Sequence, residues 1–268
     1  MDVKVATVVG AGVMGAGIAQ ELAIAGVEVS LHDQREAALT AALDRIEHGH
    51  FGMRRAVEIG KLESDVAEAA LQRITPVADL AVACKDADVV VEAVYEDYAL
   101  KIKVFSELDA LTPSAAILAS NTSGLSIAVM AAATGRPDKV IGWHFASPVP
   151  AMKLSEIVVT DHTSDDTRDT IVALAARCRK NPEVVKDSQF QWGFVANRVL
   201  LAVFKEADDI VQEGIASADQ VDRLLKDCFR WPVGPFEMRG GTSSGWGDAP
   251  DGSEVDQRRK ILKPKVSG

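Results

Sequence analysis

Val5-Ala6-Thr7-Val8-Val9-Gly10-Ala11-Gly12-Val13-Met14-Gly15 decides how this chain folds. It leads into an apolar-periodic stretch from Ala16 to about Gly26, and then into Val27-Glu28-Val29-Ser30-Leu31, which ends at Asp33. The first five residues are short, β-branched and without alternation, which predicts a strand buried on both faces of a parallel sheet. The glycines predict a turn built around a dinucleotide. Gly10 allows the tight turn, Gly12 lets the backbone approach a pyrophosphate, and Gly15 lets helix and strand pack closely. The pyrophosphate is expected at the helix N-terminus, where unpaired N–H groups and the helix dipole favour an anion. Gly10, Gly12, Met14 and Gly15 are therefore candidate cofactor contacts. Asp33 lies 18 residues after Gly15 (33 − 15) and is placed to accept hydrogen bonds from a ribose diol. Its carboxylate would repel a 2′-phosphate, so NAD is expected rather than NADP, with Arg35 as the one nearby cation.

Composition narrows the class. The 268 residues suffice for two modest domains or one large one, and the apolar and charged fractions are ordinary for a globular protein. A formal net charge of −10 argues against nucleic-acid or acidic-membrane partners. Cys84, Cys178 and Cys228 show no paired spacing, which predicts neither a disulfide framework nor a metal site and fits a reducing compartment. No leader precedes the first strand and no apolar run reaches membrane-spanning length, so a cytoplasmic location is expected.

After Asp33 a helical tract runs from Arg35 to about Leu71, with interruptions near residues 49–52 and at Gly60. It predicts a helical hairpin projecting from the sheet, and its Arg54, Arg55 and Lys61 are either a solvated face or a phosphate-contacting arm. Further strands are expected at 88–94, 116–119, 139–142, 155–159 and 182–185, with helices at 99–111 and 165–179 between them. That alternation predicts an α/β fold: a Rossmann-like, doubly wound, mainly parallel sheet over residues 1–186. Helices alone are expected from 187 to 240, at 194–212 and 217–228, as a smaller all-α domain. The polar run 241–268 predicts a disordered tail.

Chemistry-bearing residues fall at predicted strand ends, where ligands bind in open α/β sheets. Ser120-Asn121-Thr122-Ser123 follows one strand, a position also common for simple turn residues. His144 follows another, in Gly142-Trp143-His144-Phe145. A histidine among aromatics is commonly a packed core residue, but Glu156 lies 12 residues on (156 − 144), beyond Pro148-Val149-Pro150. A chain reversal there would set the carboxylate on one ring nitrogen and leave the other to take a proton.

Several of these segments stand together in a known order. Residues 10–20, Glu92-Ala93-Val94-Tyr95-Glu96 with Lys101 and Phe105, residues 119–124, His144-Phe145 with Pro148-Val149-Pro150-Ala151-Met152-Lys153-Leu154, Gly193-Phe194-Val195-Ala196-Asn197-Arg198 and Pro232-Val233-Gly234-Pro235-Phe236-Glu237 follow one another as in L-3-hydroxyacyl-CoA dehydrogenases. Over roughly residues 3–238 the chain resembles that family. The resemblance implies His144 as general base and Glu156 as its partner. It implies Ser120 and Asn197 near the substrate's 3-oxygen and thioester, Ser120 also near the nicotinamide, and Glu96 and Lys101 on the cofactor side. It matches the tract 35–71 to an arm that contacts coenzyme A, with Arg54, Arg55 and Lys61 as candidates.

The pattern departs from the family at three places. His144-Phe145-Ala146-Ser147-Pro148 stands where the family usually has His-Phe-Phe-Asn-Pro, so Ser147 is a candidate cofactor contact with a shorter reach. Residues 188–192 replace a shorter Pro-containing link. A polar tail stands where the family continues with helices, so a shortened C-terminal domain, a weakened homodimer and reduced activity are expected. The leading expectation is NAD-dependent interconversion of a 3-hydroxyacyl-CoA and its 3-oxo form. A dehydrogenase of a free 3-hydroxy acid or sugar acid, and a non-catalytic NAD-binding protein, are the alternatives. Basic residues lining the arm would favour the CoA ester, and an acidic or apolar lining the free acid.

Overall fold

A computed structural model describes residues 1–188 and 191–241. The first compact unit, residues 1–198, is built on eight strands: β1 (Val5–Val9), β2 (Glu28–His32), β3 (Ile74–Val77), β4 (Val89–Glu92), β5 (Ile117–Ser120), β6 (Val140–Phe145), β7 (Leu154–Val159) and β8 (Asn181–Lys186). They form one sheet in the order β3-β2-β1-β4-β5-β6-β7-β8, parallel throughout except where β6 meets β7. The strand order therefore reverses between β1 and β4, and the crevice at their carboxyl ends is where this architecture binds ligands.

Helices cover both faces, which explains why the inner strands read as apolar runs. On one face lie α1 (Val13–Ile24), α2 (Glu36–His48), α3 (Met53–Glu58), α4 (Ser64–Gln72) and α8 (Asp165–Arg177); on the other lie α5 (Leu80–Cys84), α6 (Tyr98–Leu111) and α7 (Ile127–Ala131). Strand residues alternate between the two cores. Val89, Val91, Ile117, Ala119, Ile141 and Trp143 pack on the first, and Val90, Leu118 and Val140 on the second. That alternation sends Glu92, Ser120 and His144, each two or four residues from a member of the second core, to the face of α5 to α7. The one polar side chain deep in β1, Thr7, donates to the Ala83 carbonyl at 2.6 Å.

Three features differ from expectation. The tract after Asp33 is three helices, broken at residues 49–52 and at Gly60, and it does not stand away from the body. Leu39, Ala42, Ile46, Met53, Ala67 and Ala70 are buried in the same core as Ile18 and Leu22 of α1, because their apolar stripe has no other partner. A strand absent from the sequence reading, β3, pairs in parallel with β2. It holds Pro76, tolerated because an edge strand has one unpaired side. Finally, β6 continues through His144 to Phe145, so the histidine lies within a strand rather than after it.

The second unit begins at Val199, inside α9 (Ala196–Gln212), and holds α10 (Ala218–Phe229) and α11 (Pro235–Gly241). A reciprocal Ser217–Gln220 capping box starts α10. The carboxylate of Asp222, buried at 4 % exposure, accepts from the Phe236 and Glu237 amides at 2.9 Å each and so fastens the start of α11. Of the apolar residues in this unit, Phe229 and Val233 are exposed and Trp231 and Phe236 half-buried. Residues 242–268, read from sequence as tail, lie outside the described residues.

Candidate active site

The turn from β1 into α1 has the shape a pyrophosphate needs. Gly10 has φ = +105°, and a Cβ there would stand 2.7 Å from the Ala93 carbonyl oxygen. A Cβ on Gly15 would fall 1.8 Å from the Gly10 carbonyl oxygen, so helix and turn touch only because both residues lack side chains. A Cβ at Gly12 would meet nothing within 4 Å, which marks the open side of the turn. No side chain caps the start of α1, so its first amides point into that space. Met14 is half-buried and packs on the core beside them. Asp33 directly follows β2, its Oδ2 accepting from the Ala11 amide at 3.1 Å and its Oδ1 from the Arg35 amide at 3.0 Å. Partial burial pushes its carboxyl up, but those two amides and the Arg35 guanidinium at 3.3 Å outweigh it and hold the group below its ordinary range. An uncapped helix start, an open glycine turn and an ionised carboxylate at the ribose position fit a dinucleotide lacking a 2′-phosphate.

His144 and Glu156 meet because β6 and β7 are antiparallel and pair these two residues in register. The imidazole Nδ1 lies 2.7 Å from Glu156 Oε2, both side chains nearly buried. The other carboxylate oxygen accepts from the Val195 and Ala196 amides at 3.0 Å each. Burial pushes the Glu156 carboxyl up; the His144 hydrogen bond and the two amides outweigh it and hold it below the usual value. An ionised carboxylate only accepts, so Nδ1 carries the proton and Nε2 presents a lone pair. Among the described residues Nε2 has no hydrogen-bond partner. Phe194 lies against the ring, with centroids 6.0 Å apart.

Ser120 ends β5, is fully buried, and donates to Glu92 Oε2 at 2.6 Å. Glu92 itself, at 0 % exposure, entered the sequence analysis only as part of a strand and of the family segment, with no role. Its signal was a lone carboxylate closing the apolar run Val89-Val90-Val91. Lys101, 1 % exposed, sets its ammonium 2.6 Å from Glu92 Oε1 and 3.3 Å from Glu96 Oε2. The expected cofactor-side lysine is thus enclosed, whereas Glu96 keeps part of its side chain exposed. Glu96 Oε1 accepts from Thr122 Oγ1 at 2.6 Å and from the Ser123 amide at 2.8 Å. Asn121 Oδ1 accepts from the Phe145 amide at 3.0 Å, and Asn197 Nδ2 donates to the Ser123 carbonyl at 3.3 Å. Ser120, Glu96, Lys101, His144, Glu156 and Asn197 therefore belong to one connected region. Ser147 is half-buried in the turn after β6 and makes no hydrogen bond to a described residue.

The basic residues of the arm are not brought to that region by any contact. Arg54 is held between Glu47, at 2.9 Å, and Glu68, and Arg55 pairs with Glu58 at 2.9 Å. Lys61 is exposed. Among the described residues no group of His, Cys, Asp and Glu is arranged to hold a metal ion, and no helix is long and apolar enough to cross a membrane.

Comparison with known proteins shows which family the chain resembles. Residues 5–188 match the family described as "3-hydroxyacyl-CoA dehydrogenase, NAD binding domain", and residues 193–246 match "3-hydroxyacyl-CoA dehydrogenase, C-terminal domain". A probable 3-hydroxybutyryl-CoA dehydrogenase of Bacillus subtilis is 39 % identical over 238 residues, covering 89 % of this chain and 80 % of that protein. The crystal structure of (S)-3-hydroxybutyryl-CoA dehydrogenase from Ralstonia eutropha superposes with a TM-score of 0.83 at 36 % identity, over 89 % of this chain and 82 % of that one. A diketoreductase that acts on dicarbonyl compounds superposes with a TM-score of 0.81 at 29 % identity, over 97 % and 93 % of the two chains.

Proposed function

This chain belongs to the 3-hydroxyacyl-CoA dehydrogenase family, and from that premise we propose that it oxidises the 3-hydroxyl of a 3-hydroxyacyl-CoA to the 3-oxo group with NAD as cofactor. One observation carries the residue roles: the Glu156–His144 pair at 2.7 Å, which leaves Nε2 as a free base in the region that also holds Ser120 and Asn197.

His144 Nε2 takes the hydroxyl proton as the C3–O bond becomes a carbonyl. Glu156 remains ionised and stabilises the imidazolium, while the Val195 and Ala196 amides keep its second oxygen in place. When bound, the oxidised dinucleotide supplies the acceptor for the hydride that leaves C3. The first turn of α1 and Asp33 would hold the cofactor's pyrophosphate and adenosine ribose, with Glu96 on the cofactor side. Asn197, oriented by the Ser123 carbonyl, is placed to contact the substrate's oxygen functions. In the reverse direction His144 returns the proton to the 3-oxygen.

One observation favours a second reading. Residues 36–72 carry seven acidic residues against four arginines and lysines, and Arg54 and Arg55 are paired within the arm. An arm neutralised in this way offers weak attraction to the phosphates of coenzyme A, and a free 3-hydroxy acid or a small dicarbonyl compound would need none. The experiment that separates the readings follows NADH absorbance with acetoacetyl-CoA and with free acetoacetate. The thioester reading expects kcat/KM for the thioester to exceed that for the free acid by at least about 100-fold. Equal or reversed efficiencies would replace it with the second reading, and NAD binding without turnover of either would leave a non-catalytic binding protein. A weak homodimer completes the proposal, with sedimentation as its check.

A further inference from the structure

The geometry points to Glu92 as a positioning residue for cofactor binding, acting through Lys101, Glu96 and Ser120. Three donors converge on its buried carboxylate: Lys101 Nζ at 2.6 Å and the Val94 amide at 2.7 Å on Oε1, and Ser120 Oγ at 2.6 Å on Oε2. A carboxylate accepts from all three and balances the Lys101 charge, whereas an amide accepts at one atom only, so Ser120 Oγ would have to turn from donor to acceptor and the buried ammonium would lose its nearest counter-charge. The Glu92 main chain joins in, its carbonyl accepting from the Asn121 amide at 2.8 Å.

The consequences reach ligand-facing groups in two directions. Lys101 has its three protons directed to Glu92, to Glu96 at 3.3 Å and to the Val94 carbonyl at 3.3 Å, so it is a strut and not a free cation. It sets the rotamer of Glu96, the partly exposed carboxylate of the group, whose other oxygen is fixed by Thr122 and Ser123. In the other direction Glu92 fixes residues 120 and 121, and Asn121 in turn accepts from the amide of Phe145, the residue next to His144. A charge this deep is costly unless paired. An apolar residue would serve the strand better, as Val90 does two positions earlier on the same face. The carboxylate is kept for what it orders: a cofactor-side acid and a catalytic strand joined through one buried group.

This inference rests on the dehydrogenase reading for the identity of the cofactor, but its test needs no thioester. NAD and NADH are titrated calorimetrically into wild type, Glu92→Gln, Glu92→Asp and Lys101→Met, with thermal unfolding of each apoprotein measured in parallel. Glu92→Gln is expected to raise the NAD Kd by about 10-fold or more at a temperature where it is fully folded, and Lys101→Met to do likewise. Glu92→Asp, which keeps an acceptor-only carboxylate, is expected to recover at least half of that loss. A role in stability alone would lower the melting temperature of Glu92→Gln and leave its Kd within twofold of wild type, and that result overturns the inference. If Glu92→Gln does not fold, Lys101→Met decides by the same criterion. Failure of wild type itself to bind NAD would instead overturn the dehydrogenase reading.

Discussion

His144 and Glu156 face each other across β6 and β7, the antiparallel step in an otherwise parallel sheet, and this opposition alone sets the imidazole 2.7 Å from the carboxylate. Residues paired across an antiparallel step project their side chains to the same face, so the register fixes the contact and the turn through Pro148 fixes the register. The carboxylate is in turn held by the Val195 and Ala196 amides, which ties the pair to the start of α9.

Replacing His144 with Gln should lower kcat by roughly 10²- to 10⁴-fold, the usual contribution of a positioned acid–base group, while the NAD Kd measured by titration stays within twofold. Glu156→Gln should follow in the same direction, because its amide no longer stabilises the imidazolium. A His144→Gln variant that keeps the wild-type kcat would remove His144 from the role of base.

Acid stability supplies a separate check on Glu156. Its carboxyl is held below the ordinary value in the folded chain, so it binds a proton less readily there than in the unfolded chain. It therefore contributes stability above the ordinary carboxylate range, and that contribution is lost as pH falls through the lowered folded value. Unfolding midpoints measured from pH 7 down to pH 3 should fall less steeply for Glu156→Gln than for wild type. Parallel curves would mean that the carboxylate gains nothing from its three hydrogen bonds.

Cofactor preference tests the role of Asp33. Asp33→Ala should weaken NAD binding by roughly 10- to 100-fold, since hydrogen bonds to a charged acceptor contribute about 1.5–3 kcal/mol. NADP binding should improve at the same time, because the mutation removes a repelling charge and releases Arg35, which lies 3.3 Å from that carboxylate. Equal affinity of wild type for NAD and NADP would contradict the assignment.

Gly15→Ala tests the cradle. The added methyl would fall 1.8 Å from the Gly10 carbonyl oxygen, which belongs to backbone and cannot swing aside. The variant should lose both NAD affinity and thermal stability, whereas Gly12→Ala, where the methyl meets nothing, should lose affinity and keep its melting temperature. Calorimetry alongside thermal unfolding distinguishes the two, and matching stability losses would refute the packing argument.

The cysteines differ in reach. Burial pushes the thiols of Cys84 and Cys178 up to about 12, so neither offers thiolate near neutrality, while Cys228 is exposed. A chromogenic thiol reagent should titrate one thiol in the native chain and three after denaturation. Rapid reaction of two or more in the native state would show that α5 or α8 opens readily.

Local pattern was enough for much of this molecule. The β-branched run, spaced glycines and following acid specified β1, α1, β2 and the cofactor turn, because each of those requirements acts within about thirty residues and leaves a mark on residue type. Ser120 and His144 were legible as residues at strand ends, and the observed alternation along paired strands then sets them with Glu92 on one face. Other features left no local mark. The segment Ile74-Thr75-Pro76-Val77 becomes a strand only because β2 offers it an open edge, and the arm lies down because its apolar stripe finds α1. The basic cluster of the arm looked available in sequence, yet Arg54 is taken up by Glu47 and Glu68, respectively 7 residues before it and 14 after it. Whether a charged residue is free or paired depends on which oppositely charged residues tertiary packing brings within reach. Glu92, Lys101 and Ser120 show the same limit: each was visible as a residue type, but only strands paired in space bring three separate segments onto one carboxylate.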